Sequence, residues 1–305
     1  MKKILFSIIG LLFLSIGNIQ AQQIPHYTQY MYNMNILNPA YAGSRGTEVI
    51  SFGTLYRSQW HNEPGAPKTL TFNAHGALNE NNGLGLSFIN DGYGPISQNA
   101  ITLDYSHTLS FGKSHLAFGL KAGVNLFKAG LNDLYIIHPN DPLFNNNIND
   151  TQFNVGAGLF YYTDNYYLSF SIPNFLKNTY NADSSLYKST DEMHMFLAGG
   201  YVFNIGNNFK LKPHFLAFKG GDAPIQADIN LNMLFANRFE IGISHRLNDA
   251  IGGMFNVKLF EGFRIGYAYD RHISDIRFYN PSSHEFFMNY DWKLSKKVML
   301  SPRYF

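Results

Sequence analysis

The sequence predicts an all-β fold, an antiparallel transmembrane β-barrel of about 14 strands with a short N-terminal periplasmic or plug segment. Three observations predict it. Apolar residues alternate with small or polar ones at a period of two along most of the chain. Aromatic residues make up 16% of the chain and charged residues only 14%, roughly half the charge of an average soluble protein. Short connections alternate with longer ones between successive strands.

The chain begins with Lys2 and Lys3, an apolar core from Ile4 to Ile16, and then a small residue, Ala21. That is the layout of a secretory signal peptide cleaved after Ala21, although Ile19 departs from the small residue usual three positions before the cut. Three segments follow from this reading: a signal peptide at 1–21, a distinct N-terminal segment at 22–46 and the barrel at 47–305. Removing the first segment takes away two of 23 basic residues, so 21 basic groups face 21 acidic ones and a general nucleic-acid footprint is absent. The chain has no Cys, which excludes a disulfide scaffold, a thiolate metal site and a Cys nucleophile. Beyond the first twenty residues no run of 18 apolar residues offers a spanning helix.

The alternation is clearest where Leu116, Phe118, Leu120 and Ala122 are set against Ala117, Gly119, Lys121 and Gly123. Ile229, Leu231 and Met233 against Asp228, Asn230 and Asn232 repeat it, as do Phe286, Met288, Tyr290 and Trp292 against Glu285, Asn289, Asp291 and Lys293. In a soluble sandwich the second parity would face water and be rich in Lys, Glu and Thr. Here it is Gly, Asn and Ser, which suits a crowded lumen behind a lipid-facing wall. Tyr105, Tyr161, Tyr162, Tyr267, Tyr269, Tyr290 and Trp292 stand near strand ends as candidate interfacial girdles.

The expected strands are 47–58, 68–78, 83–89, 98–110, 115–127, 152–162, 166–172, 194–205, 209–219, 226–236, 239–247, 251–260, 263–270 and 285–294. The connections 79–82, 111–114, 163–165, 206–208, 237–238 and 261–262 are short, whereas 128–151, 173–193 and 271–284 are long. Short periplasmic turns opposite longer outer loops, with an even strand count, describe a bacterial outer-membrane barrel with both termini in the periplasm.

Little catalytic chemistry stands out. No pair of His residues has the spacing that sets two ligands on one helical face, and no metal or cofactor is expected. The Asn/Asp-rich stretch from His138 to Asp150 lacks the spacing and central Gly of a calcium loop and is read as Asx turns. Gly83 with Gly85, and Gly156 with Gly158, lie inside strands without a following helix, so they mark places where a bulky lumen neighbour approaches the backbone and not a phosphate cradle. His107, near Ser106 and Ser110, is the best candidate for hydrolytic chemistry, but no orienting carboxylate is evident beside it. The inward parity carries Asp104, Lys121, Asp228, Glu240, Arg246, Lys258, Arg264, Asp270, Asp291 and Lys293. Their mixed signs suit a lumen closed by ion pairs or filled by a plug better than a selective pore, which favours a ring of one sign.

The segment after the signal peptide is not barrel-like. It reads Gln23, Ile24, Pro25, His26, Tyr27, Thr28, Gln29, Tyr30, Met31, Tyr32, Asn33, and then Asn38, Pro39, Ala40, Tyr41, Ala42, Gly43, Ser44, Arg45. This resembles the N-terminal hallmark of the PorP/SprF family of the Bacteroidetes type IX secretion system, with Tyr32 in place of a Phe. The resemblance continues through Trp60, Gly65, Ala66 and Pro67, Gly83 to Gly85, Asp91, Gly94 and Pro95, to Ser283, His284, Glu285 and the closing Pro302, Arg303, Tyr304 and Phe305. It implies an outer-membrane barrel of that export system, in contact with outer-membrane lipid and with other secretion components. It further implies a partner, a large secreted surface protein or adhesin bearing a type B C-terminal signal, whose export or attachment the barrel supports. The expectation is therefore of a protein that is not an enzyme. A passive channel or hydrophobic-solute transporter is one alternative, and a membrane-embedded hydrolase is another. Asn38-Pro39 favours a turn and Gly43 permits positive φ, and three placements stay open for the hallmark segment: folded into the lumen as a plug, laid across its periplasmic mouth, or serving as a structural lead into the first strand.

Overall fold

A computed structural model describes residues 26–132, 146–177, 179–181, 188–190, 192–206, 208–221, 223–278 and 282–295. The expected signal peptide, the stretch 138–145 of the Asn/Asp-rich connection and the closing Pro302 to Phe305 lie outside the described residues.

Fourteen strands form the wall: β1 (Val49–Ser58), β2 (Lys68–Ala77), β3 (Asn82–Tyr93), β4 (Ile96–Phe111), β5 (Ser114–Ala129), β6 (Ile148–Tyr162) and β7 (Tyr166–Ile172), followed by β8 (His194–Tyr201, continued past Val202 by Phe203–Ile205), β9 (Phe209–Gly220), β10 (Gln226–Phe235), β11 (Phe239–Arg246), β12 (Ala250–Phe260), β13 (Phe263–His272) and β14 (Ser282–Lys293). Each pairs antiparallel with its sequence neighbours, and β1 closes on β14 with Val49 opposite Lys293, so the sheet has no free edge. Between β7 and β8, Thr179–Asn181 pairs with Lys188–Thr190 as a separate small hairpin. No helix among the described residues is long and apolar enough to cross a membrane; the crossing elements are strands.

The period-two pattern sorts the side chains as the sequence predicts. Leu103 is 65% exposed and Leu120 64%, whereas their strand neighbours Asp104 and Lys121 are buried, the inverse of a soluble protein and the arrangement lipid demands. Tyr162 is a correction: it is buried inside the barrel, with His115 stacked on it at 4.9 Å, and only Tyr161 faces outward, because adjacent strand residues point to opposite faces. β3 and β4 also run further than expected, to a tight turn at Gly94 and Pro95 that pairs Tyr93 with Ile96. Asn90, Asp91 and Gly92 interrupt the apolar alternation there and hide the strand from a pattern reading, while the side chain of Asn90 donates to Asn99 Oδ1 across the ladder at 2.8 Å. Asn149 and Asp150 likewise belong to β6 and not to the preceding loop.

Eight strands suffice to let wall side chains fill a barrel; fourteen leave a wider interior. The N-terminal segment fills it. Short helical turns at Tyr30–Tyr32, Met34–Leu37 and Pro39–Tyr41 carry Tyr30, Met31, Met34, Ile36 and Leu37 into one apolar cluster with Phe160, Tyr167, Phe196, Leu216 and Phe287 of the wall. The segment also runs the length of the lumen. His26 packs edge-on to Phe218 at 4.3 Å near the end that bears the long connections, and Arg45 meets Asp291 near the short-turn end, where β1 begins. His26 and Lys293 thus lie at opposite ends of the barrel. Burial of the aromatic cluster and backbone donation to Glu285, high in the barrel, draw the segment through.

Candidate functional site

The hallmark residues form the plug and its contacts with the wall. Asn38 is the pivot. Its Oδ1 accepts from Ala40 N at 2.9 Å, capping the turn that Pro39 opens, while its Nδ2 donates to Leu159 O at 2.9 Å and Ser169 Oγ at 2.7 Å. Ala40 lies so close to β5 that a Cβ on Gly119 would stand 2.1 Å from its nitrogen. Tyr41 sets its ring edge-on to Phe160 and His75, and Ala42 O accepts from Ser106 Oγ at 2.7 Å. Gly43 has φ +72 where the segment turns toward β1, and a Cβ there would meet the Cα of Gly83 at 2.8 Å. Arg45 pairs with Asp291 at 2.8 Å.

Nearer the other end, Thr28 N and Gln29 N donate to the two oxygens of Glu285, at 2.9 and 2.7 Å. Tyr27 is buried, and Tyr30 and Met31 are fully so. The glycines singled out in the wall are points of close approach: Gly83 to Ala42 O, Gly85 to the Asn35 amide and Gly158 to Asn38 Oδ1, whereas Gly156 abuts the backbone of Pro173.

The inward charges gather into pairs that tie strands to one another and to the plug. Lys121 meets Asp104 at 2.8 Å, and Asn35 Nδ2 donates to the same carboxylate at 3.0 Å. Arg246 forks onto Asp228 at 3.0 Å through both Nε and Nη2. Glu240 accepts from Lys212 at 2.9 Å and from Asn232 at 2.7 Å, lies 3.6 Å from Arg264, and bonds the Tyr32 hydroxyl, the group that distinguishes this residue from Phe. Asp270 takes Arg57 at 2.8 Å and Thr28 Oγ1 at 2.5 Å. Lys293 reaches Glu261 at the short-turn rim, and Lys258, half-buried, sits opposite Arg264 on the β12–β13 ladder. Removing charge from water is tolerable only with such partners, so the buried pairs Lys121–Asp104, Arg246–Asp228, Lys212–Glu240 and Arg57–Asp270 fasten strands to one another and to the filling.

Arg57, which reaches Asp270 and Glu285, and Lys212, which reaches Glu240, belong to these buried clusters and were not among the residues singled out from sequence. The inward parity of their strands was the signal that could have found them. The Ser–His candidate is not assembled: Ser106 faces the plug, His107 faces outward beside Asn82 Oδ1 at 2.9 Å, and Ser110 pairs with His115 instead. Among the described residues no cluster of three His, Asp or Glu side chains is placed to hold a metal ion.

Comparison with solved structures finds other membrane barrels. The Ralstonia pickettii toluene transporter TbuX aligns with TM-score 0.51 at 9% identity, over 85% of this chain and 92% of that one. A Pseudomonas aeruginosa FadL homologue gives 0.48 at 11% identity, over 90% and 96%, and the Acinetobacter baumannii outer membrane protein Omp33 gives 0.45 at 10% identity, over 80% and 96%. At 9% identity the likeness to TbuX speaks for the fold alone, an outer-membrane β-barrel. No curated protein matches the chain. The family model for the type IX secretion system membrane protein PorP/SprF, however, matches residues 19–290, from just before the hallmark segment into the last strand. A barrel whose lumen is packed by that hallmark segment, matched over most of its length, belongs to the PorP/SprF family of type IX secretion system membrane proteins.

Proposed function

We propose that the protein is a non-enzymatic outer-membrane barrel that supports the export, the cell-surface attachment, or both, of a cognate secreted protein, an adhesin with a type B C-terminal signal. The observation that carries this reading is the filled lumen: Tyr30, Met31, Ala40 and Asn38 are fully buried inside the barrel, and Asn38 donates to Leu159 O and Ser169 Oγ of its wall. A passive channel or solute transporter needs a path through that space. A filled barrel instead offers its two mouths and its lipid face, and the family assignment points to other secretion components as neighbours. Following the usual orientation, the end with connections 173–193 and 273–281 faces outside and the end of β14 faces the periplasm. In that orientation His26 stands at the outer mouth. The outer connections carry the partner contacts.

A mild-detergent pull-down of the tagged barrel from its native membrane, with mass spectrometry of what remains bound, tests this. The expected result is a large secreted protein with a type IX C-terminal signal, lost when the outer connections are shortened. Recovery of the barrel alone contradicts it.

A further inference from the structure

The lipid face is not uniform. Where β1, β14 and β13 lie side by side it holds a groove of about 430 Å³. Tyr56, Phe286 and Tyr267 form one row of its lining, and Thr54, Met288 and Ile265 form the next row toward the short-turn end. Thr54 stands between Phe72 and Met288, and its shortness beside them hollows the wall. The polar atoms of this lining are spent elsewhere. Thr54 Oγ1 donates to Thr71 O at 2.9 Å, and the Tyr267 hydroxyl bonds His284 Nδ1 at 2.7 Å, one row nearer the long connections.

Above the groove the chemistry changes. The next outward positions toward the long connections are Lys68, Ser58, His284 and Tyr269, with Arg271 beyond Tyr269, and none of them is acidic. Lys68 and Arg271 are exposed, and neither has a hydrogen-bond or ion-pair partner among the described residues. Asp270 and Glu285, their neighbours in sequence or register, point inward and are held by Arg57. Lys68 on β2 and Arg271 on β13 are three strand spacings apart, about 14 Å. Between them His61 sets its ring edge-on to His284 at 4.7 Å, and Tyr269 packs on His284 at 5.4 Å. Two unspent cations thus flank a platform of rings at the upper end of an apolar groove.

We propose that this face binds a phosphorylated glycolipid of the surrounding membrane, with an acyl chain in the groove and phosphates on Lys68 and Arg271. The groove opens on the bilayer, so acyl chain is the material that reaches it, and filling it recovers dispersion contacts that an empty hollow forfeits. Charge selects the lipid: long cationic side chains at the border of the apolar belt reach out to anionic headgroups. Two cations about 14 Å apart exceed the span of a single phosphate and suit a sugar headgroup phosphorylated at both ends, lying over the His61, His284 and Tyr269 rings. Only the choice of leaflet rests on the orientation given under the proposed function; the binding itself does not involve the secreted partner.

Native mass spectrometry of the detergent-solubilised full chain tests this with three probes: bisphosphorylated lipid A, the same lipid stripped of both phosphates, and phosphatidylglycerol. The expected result is a one-to-one adduct with the first that survives collisional activation sufficient to remove the other two. Lys68→Gln combined with Arg271→Gln weakens that adduct by about fivefold for each cation removed. Thr54→Phe, which fills the groove and leaves the charges in place, weakens it several-fold. Both variants are lipid-facing changes, and the migration of unboiled against boiled samples on a gel confirms that each is a folded barrel. Equal retention of all three probes, or stronger retention of phosphatidylglycerol, overturns the glycolipid assignment. An adduct that neither variant weakens places the lipid elsewhere, and one weakened by the charge variant alone removes the groove from the site. The pull-down reads the secreted partner and this measurement reads the lipid, so either reading can fail without the other.

Discussion

Gly119 of β5 and Ala40 of the plug touch backbone to backbone: a Cβ on Gly119 would lie 2.1 Å from Ala40 N and 2.5 Å from Ala40 Cα. Neither side can yield by rotating a side chain. Gly119→Ala is therefore expected to unseat the Asn38–Gly43 stretch or strain the wall, at a cost of about 1–3 kcal/mol for overpacking. Gly253→Ala, where an added Cβ meets nothing within 4 Å, serves as the control and is expected to stay within about 0.5 kcal/mol of the parent. Urea midpoints of the two variants at unchanged slope check the difference; equal midpoints would mean that the plug does not press on β5.

Asn38 serves cap and wall at once, so its replacements separate the two roles. Asn38→Ala loses the acceptor for Ala40 N–H and the donor to Leu159 O and Ser169 Oγ. The expected cost is about 2–3 kcal/mol. Asn38→Asp keeps the acceptor but turns an acceptor toward Leu159 O, and is expected to be no better than Ala. A stability for Asn38→Asp close to the parent's would show that the cap alone matters.

Lys212 and Glu240 are fully buried and 2.9 Å apart, with Tyr32 and Arg264 alongside. Removing one charge, by Lys212→Met or Glu240→Gln, leaves the other without its main partner and is expected to cost about 3–5 kcal/mol. The double variant should cost less than the sum of the two. A double-mutant cycle measures the coupling, and strict additivity would show that the pair is not the unit holding the plug at Tyr32.

Much of the barrel was legible because lipid outside and packing inside impose opposite demands on alternate residues. Leu120 and Lys121, adjacent in sequence, report the two faces directly. The glycine reading was legible for the same reason: Gly83, Gly85 and Gly158 sit on the inward parity where a side chain would otherwise stand. The path of the plug was not legible, because its contacts join residues far apart in sequence, Thr28 with Glu285 and Asn38 with Ser169, and no local pattern encodes them. Arg57 was hidden for a related reason. Its burial makes sense only once Asp270, Glu285 and Thr28 are brought around it.

The turn between β11 and β12 supplies a pH dependence. Burial pushes the Asp249 carboxyl up, but the hydrogen bond and charge of His272 and the charges of Arg246 and His26 outweigh it and hold the group at about 2, below its ordinary 3.8. A carboxylate depressed in the folded state contributes stability that is complete above pH 3.8 and is lost as pH falls toward 2. Asp249→Asn is expected to lower the urea midpoint at pH 5 and to converge with the parent near pH 2. Parallel curves across that window would show that Asp249 is not tied to His272 in solution.

We propose that the N-terminal segment shuts the barrel, so that the protein works through what binds it and not through what passes along it. Single-channel recording of the purified protein in a planar bilayer tests this most directly, alongside a variant lacking residues 27–44. The account predicts a silent parent and a variant with conductance steps. Steady conductance from the parent, equal to that of the variant, would contradict it.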